Sequence, residues 1–289
     1  MGVKTDYLVI GASGMLGSRL AEVLSARGSV AGTYCKRPVA GLHQCDLGSE
    51  ASVRSLFTRV EPRVLIHAGG MTRPDDCENM PRRAYAVNVR GLRYLLKYFC
   101  GEHVVLFSTD YVFDGESAPY DERASTHPVN VYGTTKADAE KMLLDSSITS
   151  TVARVSGLYG WSHTNREFLL RLSSGSPILA SAKHYSSYTW LDDICRLFPV
   201  VESVEGIVHI VGPGRYSRAE FLKIACHFLA PTVKVLPVDP AIAYPGARRP
   251  ADTTMVSAIL DLDCTPLSIA LRELRSRLGQ GDAVCEAEG

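Results

Sequence analysis

Three side chains that can polarise a carbonyl and move a proton lie close together in the sequence. Thr109 ends the apolar run "HVVLFST", and Tyr132 and Lys136 open a helical pattern four residues apart. Side chains with this spacing share one helix face. A phenol with a pKa of about 10 is a weak acid at neutral pH, and a nearby ammonium group lowers that pKa. Thr109 can orient a carbonyl beside them, so the set predicts reduction of a ketone by hydride transfer and protonation.

The elements that position these side chains alternate between apolar strands and helices. Strand-like runs such as "DYLVIGA", "RVLIHAG" and "HVVLFST" are each followed by a helical pattern. Such alternation is typical of a parallel sheet with helices on both faces, and ligands bind beyond the carboxyl ends of its strands. We therefore expect an α/β fold, a Rossmann-type doubly wound parallel sheet with a smaller C-terminal α/β substrate-binding domain.

The alternation weakens in the second half of the chain. We predict a dinucleotide-binding domain over residues 1–158, to which residues 186–211 return, and a substrate-binding cap over residues 159–185 and 212–279. The stretch "WSHTNREFLLRLSSG" is interpreted as a helix of this cap. Residues 280–289 lack periodicity, and we expect them to form a disordered tail.

The first strand-like run ends in "GASGMLG", in which Gly11, Gly14 and Gly17 have the spacing GxxGxxG. A glycine turn between a strand and a helix lets the backbone approach a pyrophosphate, which the helix N-terminus stabilises. A tight turn without a ligand is the alternative. We predict that the turn binds a dinucleotide through Gly11, Ser13, Gly14, Met15, Leu16 and Gly17.

The end of the second strand-like run indicates which cofactor binds. It reads "GTYCKRP", so Lys36 and Arg37 stand where a carboxylate would bind the ribose hydroxyls of NAD. Two cations suit the 2′-phosphate of NADP, so NADPH is favoured, with NAD as the alternative. Asp46 and Leu47, after the third strand, are expected to contact the adenine edge, although a simple turn fits them almost as well.

The overall composition excludes several functional classes. Lys and Arg together number 31, as do Asp and Glu, so no basic surface indicates nucleic acid. The eight cysteines are scattered without a CxxC pair, which indicates free thiols in a reducing compartment. No apolar stretch approaches the roughly 20 residues that span a bilayer, and no leader-like run precedes the first strand. We expect a cytoplasmic protein with no membrane partner.

Several motifs together resemble the extended short-chain dehydrogenase/reductases, and more narrowly their dTDP-4-dehydrorhamnose reductase-like branch. The motifs are "GASGMLG", "STDYVFDG", "PVNVYGTTKADAE", "RVSGLYG", "SSYTWLDDI" and "RRPADTTM", and the likeness covers nearly the whole chain. This resemblance implies NADPH-dependent reduction of the 4-keto group of a nucleotide-linked 4-keto-6-deoxysugar.

The resemblance also implies roles for individual residues. Thr109, Tyr132 and Lys136 would form the catalytic triad, and Asn88 would support it. The segment "HAGGMT" would pass the nicotinamide ribose, which adds Ala68, Gly69 and Gly70 to the cofactor residues. Tyr132 and Lys136 are also counted among the cofactor residues, because the Lys136 ammonium group would reach the hydroxyls of the same ribose. The candidate substrate residues are Thr72, Asp110, Tyr111, Trp161, His184 and Arg249.

Three of these substrate residues have simpler interpretations. Trp161 could be a packed aromatic, His184 a loop histidine, and Arg249 part of a solvated basic turn rather than a diphosphate ligand. We find no acidic cluster like the metal-bridged dimer contact of some relatives, so no metal is predicted. A nucleotide sugar is the expected ligand, and a homodimer is left open.

Two other functions fit the same motifs. One is a sugar-nucleotide epimerase or a ketoreductase of another natural-product pathway, because "HYSSYT" departs from the reductase pattern Gln-aromatic-Gly-x-Pro-Thr at His184 and Tyr188. The other is a non-catalytic NADP-binding subunit like the regulatory β subunit of methionine adenosyltransferase, in whose lineage the threonine retained here as Thr109 is lost. A dehydratase is disfavoured because Tyr111, and not a glutamate, follows Asp110.

Overall fold

The computed structural model describes residues 2–161 and 176–285, with side chains through residue 278. The helix predicted in "WSHTNREFLLRLSSG" lies outside the described residues from position 162 onward. The strands are β1 (Val3–Ile10), β2 (Val30–Tyr34), β3 (His43–Gln44), β4 (Val60–His67), β5 (His103–Thr109), β6 (Ser150–Val155), β7 (Ile178–Ser181), β8 (Tyr185–Ser186), β9 (Gly206–Ile210), β10 (Tyr216–Ser217) and β11 (Val235–Val238).

The described helices fall mainly between these strands. They are α1 (Met15–Leu24), α2 (Glu50–Phe57), α3 (Pro74–Asn79), α4 (Pro81–Tyr85), α5 (Gly91–Tyr98), α6 (Val131–Leu144), α7 (Leu191–Val201), α8 (Arg218–Leu229), α9 (Pro240–Ala243) and α10 (Leu267–Cys285). A π-helical turn, Ala86–Arg90, joins α4 to α5, and a 3₁₀ turn, Asp110–Val112, follows β5.

Seven strands form one parallel sheet in the order β3-β2-β1-β4-β5-β6-β9. The order runs outward in both directions from β1 and β4, which is the doubly wound arrangement of a Rossmann-type fold. The predicted fold class is therefore confirmed. In such a sheet the carboxyl ends of β1, β4 and β5 border a common crevice, so residues that follow these strands converge there.

Hydrophobic layers cover both faces of the sheet. In β1, Tyr7 and Val9 pack on one face with α1 and α7, while Leu8 and Ile10 pack on the other with α2, α5 and α6. Strands buried on both faces have near-continuous apolar sequences, which explains runs such as "YLVI". Residues 186–211 contain α7 and β9. α7 packs against α1, and β9 pairs with β6.

The remaining elements build a smaller layer beside the carboxyl ends of the sheet strands. β7 pairs with β11 in parallel and β8 with β10 in antiparallel. Phe221 of α8 and Leu271 of α10 belong to a separate core cluster with Tyr188 and Trp190. α10 runs to Cys285, so it overlaps the tail predicted to be disordered, and residues 286–289 lie outside the described residues.

Within residues 2–161 and 176–285, no helix combines the length and apolar character needed to cross a membrane.

The glycine turn after β1 brings the backbone of β1 and α1 close together. Gly11 has a φ of +83°, and its backbone N–H donates to the Thr33 Oγ1 at 3.0 Å. A Cβ at Gly17 would lie 2.2 Å from the Gly11 carbonyl oxygen, whereas a Cβ at Gly14 would lie 3.3 Å from it. Gly17 is therefore required for helix–strand packing, and Gly14 leaves more room.

This difference predicts the effect of a single methyl group. Gly17→Ala is expected to lower the free energy of unfolding by about 2 kcal/mol or more, because backbone must move to admit the Cβ. Gly14→Ala is the matched control and is expected to cost less than about 1 kcal/mol. Urea unfolding followed by circular dichroism measures both values, and equal losses would contradict the close approach assigned to Gly17.

Candidate active site

Tyr132 is positioned by the N-terminus of α6. The Asn130 side chain caps this helix by accepting from the Gly133 backbone N–H at 2.8 Å, and its amide donates to the Arg248 carbonyl at 2.8 Å. A Cβ at residue 133 would lie 2.1 Å from the Tyr111 carbonyl oxygen, so glycine allows α6 to approach the end of β5. The first turn of α6, with Tyr132, is thereby held against the residues that follow β5.

Thr109 and Tyr132 meet at this point. Thr109 is buried at the carboxyl end of β5, where its hydroxyl donates to Asp110 Oδ1 at 3.1 Å and accepts from the Tyr111 backbone N–H at 3.3 Å. A hydrogen bond with Thr109 also lowers the pKa of Tyr132. The phenol and the hydroxyl predicted to act on one carbonyl are therefore neighbours.

The net direction of the Tyr132 pKa differs from the sequence-based expectation. Burial raises the pKa of this phenol above its ordinary value, the Thr109 hydrogen bond lowers it, and the Asp110 and Cys77 side chains raise it. Lys136 was expected to lower it, but its ammonium group donates to the Phe107 carbonyl at 2.7 Å. Tyr132 is therefore a protonated phenol at neutral pH, which suits a proton donor.

Lys136 lies one helical turn beyond Tyr132 and is buried. Burial lowers its pKa to about 8, and the Glu140 carboxylate opposes this shift. Tyr132, Lys136 and Glu140 follow one another at intervals of four, so they share one face of α6. Lys136 remains mostly charged at neutral pH because Glu140 is near.

Glu140 belongs to a buried charge network at the base of the site. Arg154 of β6 donates to both Glu140 oxygens, with Nη2–Oε2 at 2.7 Å and Nε–Oε1 at 3.1 Å. The Ser108 hydroxyl also donates to Glu140 Oε1. The Arg154 and Glu140 side chains are only 2% and 3% exposed, so their bidentate pairing offsets the cost of burying two charges.

Asp110 is the centre of a second buried network. Its Oδ2 accepts from three hydroxyls, those of Ser156 at 2.7 Å, Ser186 at 2.8 Å and Thr253 at 2.5 Å. Asp110 itself is 3% exposed. Ser156 follows β6 of the sheet, Ser186 lies in β8 and Thr253 precedes α10. The Asp110 carboxylate therefore links the sheet to the smaller layer. Asp110 was predicted to bind substrate, and the structure shows its carboxylate hydrogen-bonded to protein hydroxyls.

A row of rings leads away from Tyr132. The Tyr111 ring meets Tyr132 edge-on at 6.0 Å between centroids, and His184 meets Tyr111 at 5.9 Å and Tyr244 at 5.5 Å. The Arg249 guanidinium lies 5.1 Å from the Tyr244 centroid. The structure therefore brings Tyr111, His184 and Arg249 together beside the phenol, although they are far apart in sequence.

Arg249 has further partners besides Tyr244, and the surroundings of Thr72 and Trp161 are different again. Arg249 donates to Asp75 Oδ2 at 2.8 Å and to the Ala247 carbonyl at 2.7 Å, so its fork already binds a carboxylate. Thr72 is exposed in the loop after β4. Trp161 is half-buried against the core cluster of the smaller layer, on the side of Tyr159 and Phe221.

The residues after β1 and β4 form one wall of the crevice. A Cβ at Gly11 would lie 2.6 Å from the Gly69 Cα, so the two glycine-containing loops touch backbone to backbone. Asn88 holds the second loop, because its side chain pairs with the Met71 N–H at 2.8 Å and carbonyl at 3.0 Å. The same amide donates to Thr135 of α6 at 2.9 Å, so Asn88 joins the loop after β4 to α6.

This wall fits a dinucleotide. α1 begins at Met15 without a side-chain cap from Gly14, so its positive end faces the glycine turn that holds Ser13. Leu16 is buried beneath the turn. Ala68 and Gly69 are half-buried and Gly70 is exposed, which keeps backbone rather than side chains on the crevice.

The residues after β2 and β3 lie farther along the same edge. Lys36 and Arg37 are exposed directly after β2. Asp46 is exposed after β3, where its Oδ1 accepts from the Gly48 N–H at 2.9 Å, and Leu47 is buried. No three His, Cys, Asp or Glu side chains group as metal ligands in the described part of the chain.

Sequence reasoning missed several residues of the site. Asn130 directly precedes the "VYGTTK" helix start, and Glu140 lies four residues after Lys136, so capping and helical spacing could have found both. Ser156, Ser186 and Thr253 carry no such local signal, because only the tertiary fold brings them to Asp110.

Known proteins of two kinds are similar to this chain. The family model "RmlD substrate binding domain" matches residues 5–279. A dTDP-4-dehydrorhamnose reductase of Aggregatibacter actinomycetemcomitans is 32% identical, covering 93% of this chain and 98% of that protein. The methionine adenosyltransferase 2 subunit beta of Danio rerio is 28% identical, covering 94% of this chain and 91% of that protein.

A solved structure has the same fold over its whole length. The crystal structure of dTDP-4-dehydrorhamnose reductase from Bacillus anthracis in complex with NADP superposes with a TM-score of 0.83. It is 24% identical and covers 95% of this chain and 100% of that chain. The likeness confirms the fold.

The Asp110 network generates a stability prediction. Asp110→Asn is expected to lower the free energy of unfolding by about 2–4 kcal/mol, because an amide N–H₂ would face hydroxyls that now donate to a carboxylate. Asp145→Asn, at an exposed position after α6, is the control and should stay within about 0.5 kcal/mol of wild type. Chemical unfolding measures both, and equal stability of the two variants would contradict the network.

The Glu140 contact generates a pKa prediction. Glu140→Gln is expected to move the Lys136 pKa from about 8 to a lower value, because the carboxylate that raises it is removed. Glu50→Gln is the control, since Glu50 raises the pKa of the exposed Lys97. NMR titration of lysine Cε signals should show each variant shifting only its own lysine, and an unchanged Lys136 titration in Glu140→Gln would refute the assignment.

Proposed function

The chain belongs to the RmlD substrate binding domain family, and we propose that it reduces the 4-keto group of a nucleotide-linked 4-keto-6-deoxysugar with NADPH. The family assignment identifies it as an NAD(P)-dependent oxidoreductase of the extended short-chain dehydrogenase/reductase type. The observation that carries the proposal is that Thr109 and Tyr132 are neighbours at the end of β5, where Lys136 donates to the Phe107 carbonyl of the same strand.

NADPH, when bound, supplies the hydride that the reaction needs. The glycine turn and the N-terminus of α1 would hold its pyrophosphate, and Lys36 and Arg37 would bind its 2′-phosphate. The Bacillus anthracis reductase, which has the same fold, was solved in complex with NADP. Lys136 would donate to the nicotinamide ribose hydroxyls.

Proton donation is assigned to Tyr132. Ketone, hydride and one proton give the alcohol, and the phenol O–H transfers that proton to the oxygen that gains charge at C4. A pKa raised by burial keeps Tyr132 protonated until this moment. Thr109 would donate to the same oxygen, which polarises the carbonyl and orients it. The phenolate that remains then regains a proton from water.

The substrate would lie along the row of rings. Tyr111 and Tyr244 offer flat apolar faces to a sugar ring, and His184 lies between them. A dehydratase is less well supported, because Asp110 is bound to hydroxyls and Tyr111 follows it. An epimerase would use the same phenol, and the products of the reaction distinguish it from a reductase.

A second candidate function is that of a non-catalytic subunit. The Danio rerio methionine adenosyltransferase subunit matches nearly the whole chain and favours this alternative. A subunit that only binds NADP has no need of a buried phenol hydrogen-bonded to a threonine, and this chain has both. The reductase therefore remains our proposal.

Removal of the phenol oxygen tests the proposal. Tyr132→Phe is expected to lower kcat at least about 100-fold, because it removes the proton donor. The measurement is NADPH oxidation with dTDP-, GDP- and UDP-linked 4-keto-6-deoxyhexoses, with product analysis. Tyr85→Phe, at a 44% exposed tyrosine of α4, is the control and should match wild type. A wild type that binds NADPH but oxidises it with none of these sugars would support the non-catalytic alternative.

A further inference from the structure

His184 is a buried side chain whose hydrogen-bonding groups are unused. It is 7% exposed, and neither Nδ1 nor Nε2 has a hydrogen-bond partner in the structure. Buried polar groups in proteins are nearly always paired, and an unpaired one costs about 1–3 kcal/mol. His209 shows the usual state: it is fully buried, and its Nδ1 pairs with the Val256 carbonyl at 2.9 Å. Burial alone therefore does not explain His184.

The His184 ring is held in place by its neighbours. Tyr111 and Tyr244 meet it edge to face, with interplanar angles of 65° and 88°. Its backbone carbonyl accepts from the Arg218 N–H at 3.0 Å, which fixes the start of β8 next to α8. Tyr111 in turn contacts Tyr132 at 6.0 Å, so the imidazole lies two ring contacts from the proton donor.

The charges that face His184 identify the chemistry of its ligand. Burial has the largest effect on the pKa of His184 and lowers it to about 4. The Asp110 and Asp252 carboxylates raise this pKa, whereas Arg218 and Arg249 lower it further. The imidazole is therefore neutral at pH 7, with one donor and one acceptor nitrogen. A hydroxyl group can pair with whichever ring nitrogen faces it, because it both donates and accepts, whereas a phosphate oxygen can pair only with the protonated nitrogen.

We propose that His184 recognises a ring hydroxyl of the sugar whose carbonyl is reduced, and so selects among nucleotide-linked keto-sugars. The inference rests on the proposed function, because it takes the ligand to be a sugar nucleotide in the crevice beside Tyr132. In this inference, a hydrogen bond from the neutral imidazole of the smaller layer distinguishes one sugar from another, and other residues bind the nucleotide. A substrate without that hydroxyl leaves the imidazole unpaired and is rejected.

Binding without turnover tests the inference. Calorimetry compares dTDP-, GDP- and UDP-linked 6-deoxyhexoses with the bare nucleoside diphosphates, in the presence of NADP. His184→Phe is expected to lose about tenfold in affinity for the sugar nucleotide that wild type binds, with the bare nucleotide unaffected. His184→Gln, which keeps a donor and an acceptor, should recover most of that loss. His227→Phe, at an exposed histidine of α8, is the control.

A second measurement does not depend on how the variants fold. In wild type labelled with ¹⁵N-histidine, the ring nitrogens of His184 should shift when the sugar nucleotide binds and stay in place when the bare nucleotide binds. Unchanged His184 signals, or equal binding by wild type and His184→Phe, would overturn the inference while the reductase activity stood. Failure of wild type to oxidise NADPH with any sugar of the panel would instead remove the proposed function, and the inference with it.

Discussion

The site depends on one constraint: a buried strand end must satisfy all of its polar groups. At the carboxyl end of β5 each successive residue does so with a different partner. The Phe107 carbonyl accepts from Lys136, and the Ser108 hydroxyl donates to Glu140. Thr109 bonds with Tyr132, and Asp110 accepts from hydroxyls of the smaller layer. Catalytic and supporting side chains therefore occupy fixed positions because the strand end has no other way to pair its polar groups.

Burial also sets the protonation of the site. It raises the pKa of Tyr132 and lowers that of Lys136, which would favour a neutral phenol and a neutral amine. Glu140 opposes the second effect, and Arg154 balances the charge of Glu140. The ammonium group is thus kept mostly charged at neutral pH by a carboxylate one helical turn away from it. A phenol that holds its proton and an ammonium group that can bind the nicotinamide ribose are what the proposed reduction requires.

The smaller layer contributes attachment to the sheet and holds the residue that we propose for substrate selectivity. Ser186 and Thr253 bind Asp110, so the layer is fixed at the residue next to Thr109. His184, two residues before Ser186, has two unpaired ring nitrogens, and its ring contacts Tyr111 in the row of rings that begins at Tyr132. Ser186 lies in the short strand β8, and His184 directly precedes this strand. The hydrogen bond that anchors the smaller layer therefore also fixes the position of the histidine proposed to contact the ligand.

The sequence alone determined the α/β class, the glycine turn and the Thr109, Tyr132 and Lys136 set, because apolar alternation, glycine spacing and helical spacing are local patterns. It could not determine the state of these groups. Whether Lys136 faces the phenol or the Phe107 carbonyl depends on how α6 packs on β5, 29 positions earlier in the chain. Whether Asp110 is free or bound by hydroxyls depends on residues as far away in the sequence as Thr253, 143 positions later. Burial, hydrogen-bond partners and pKa values are properties of the packed structure, so only the tertiary fold decided them.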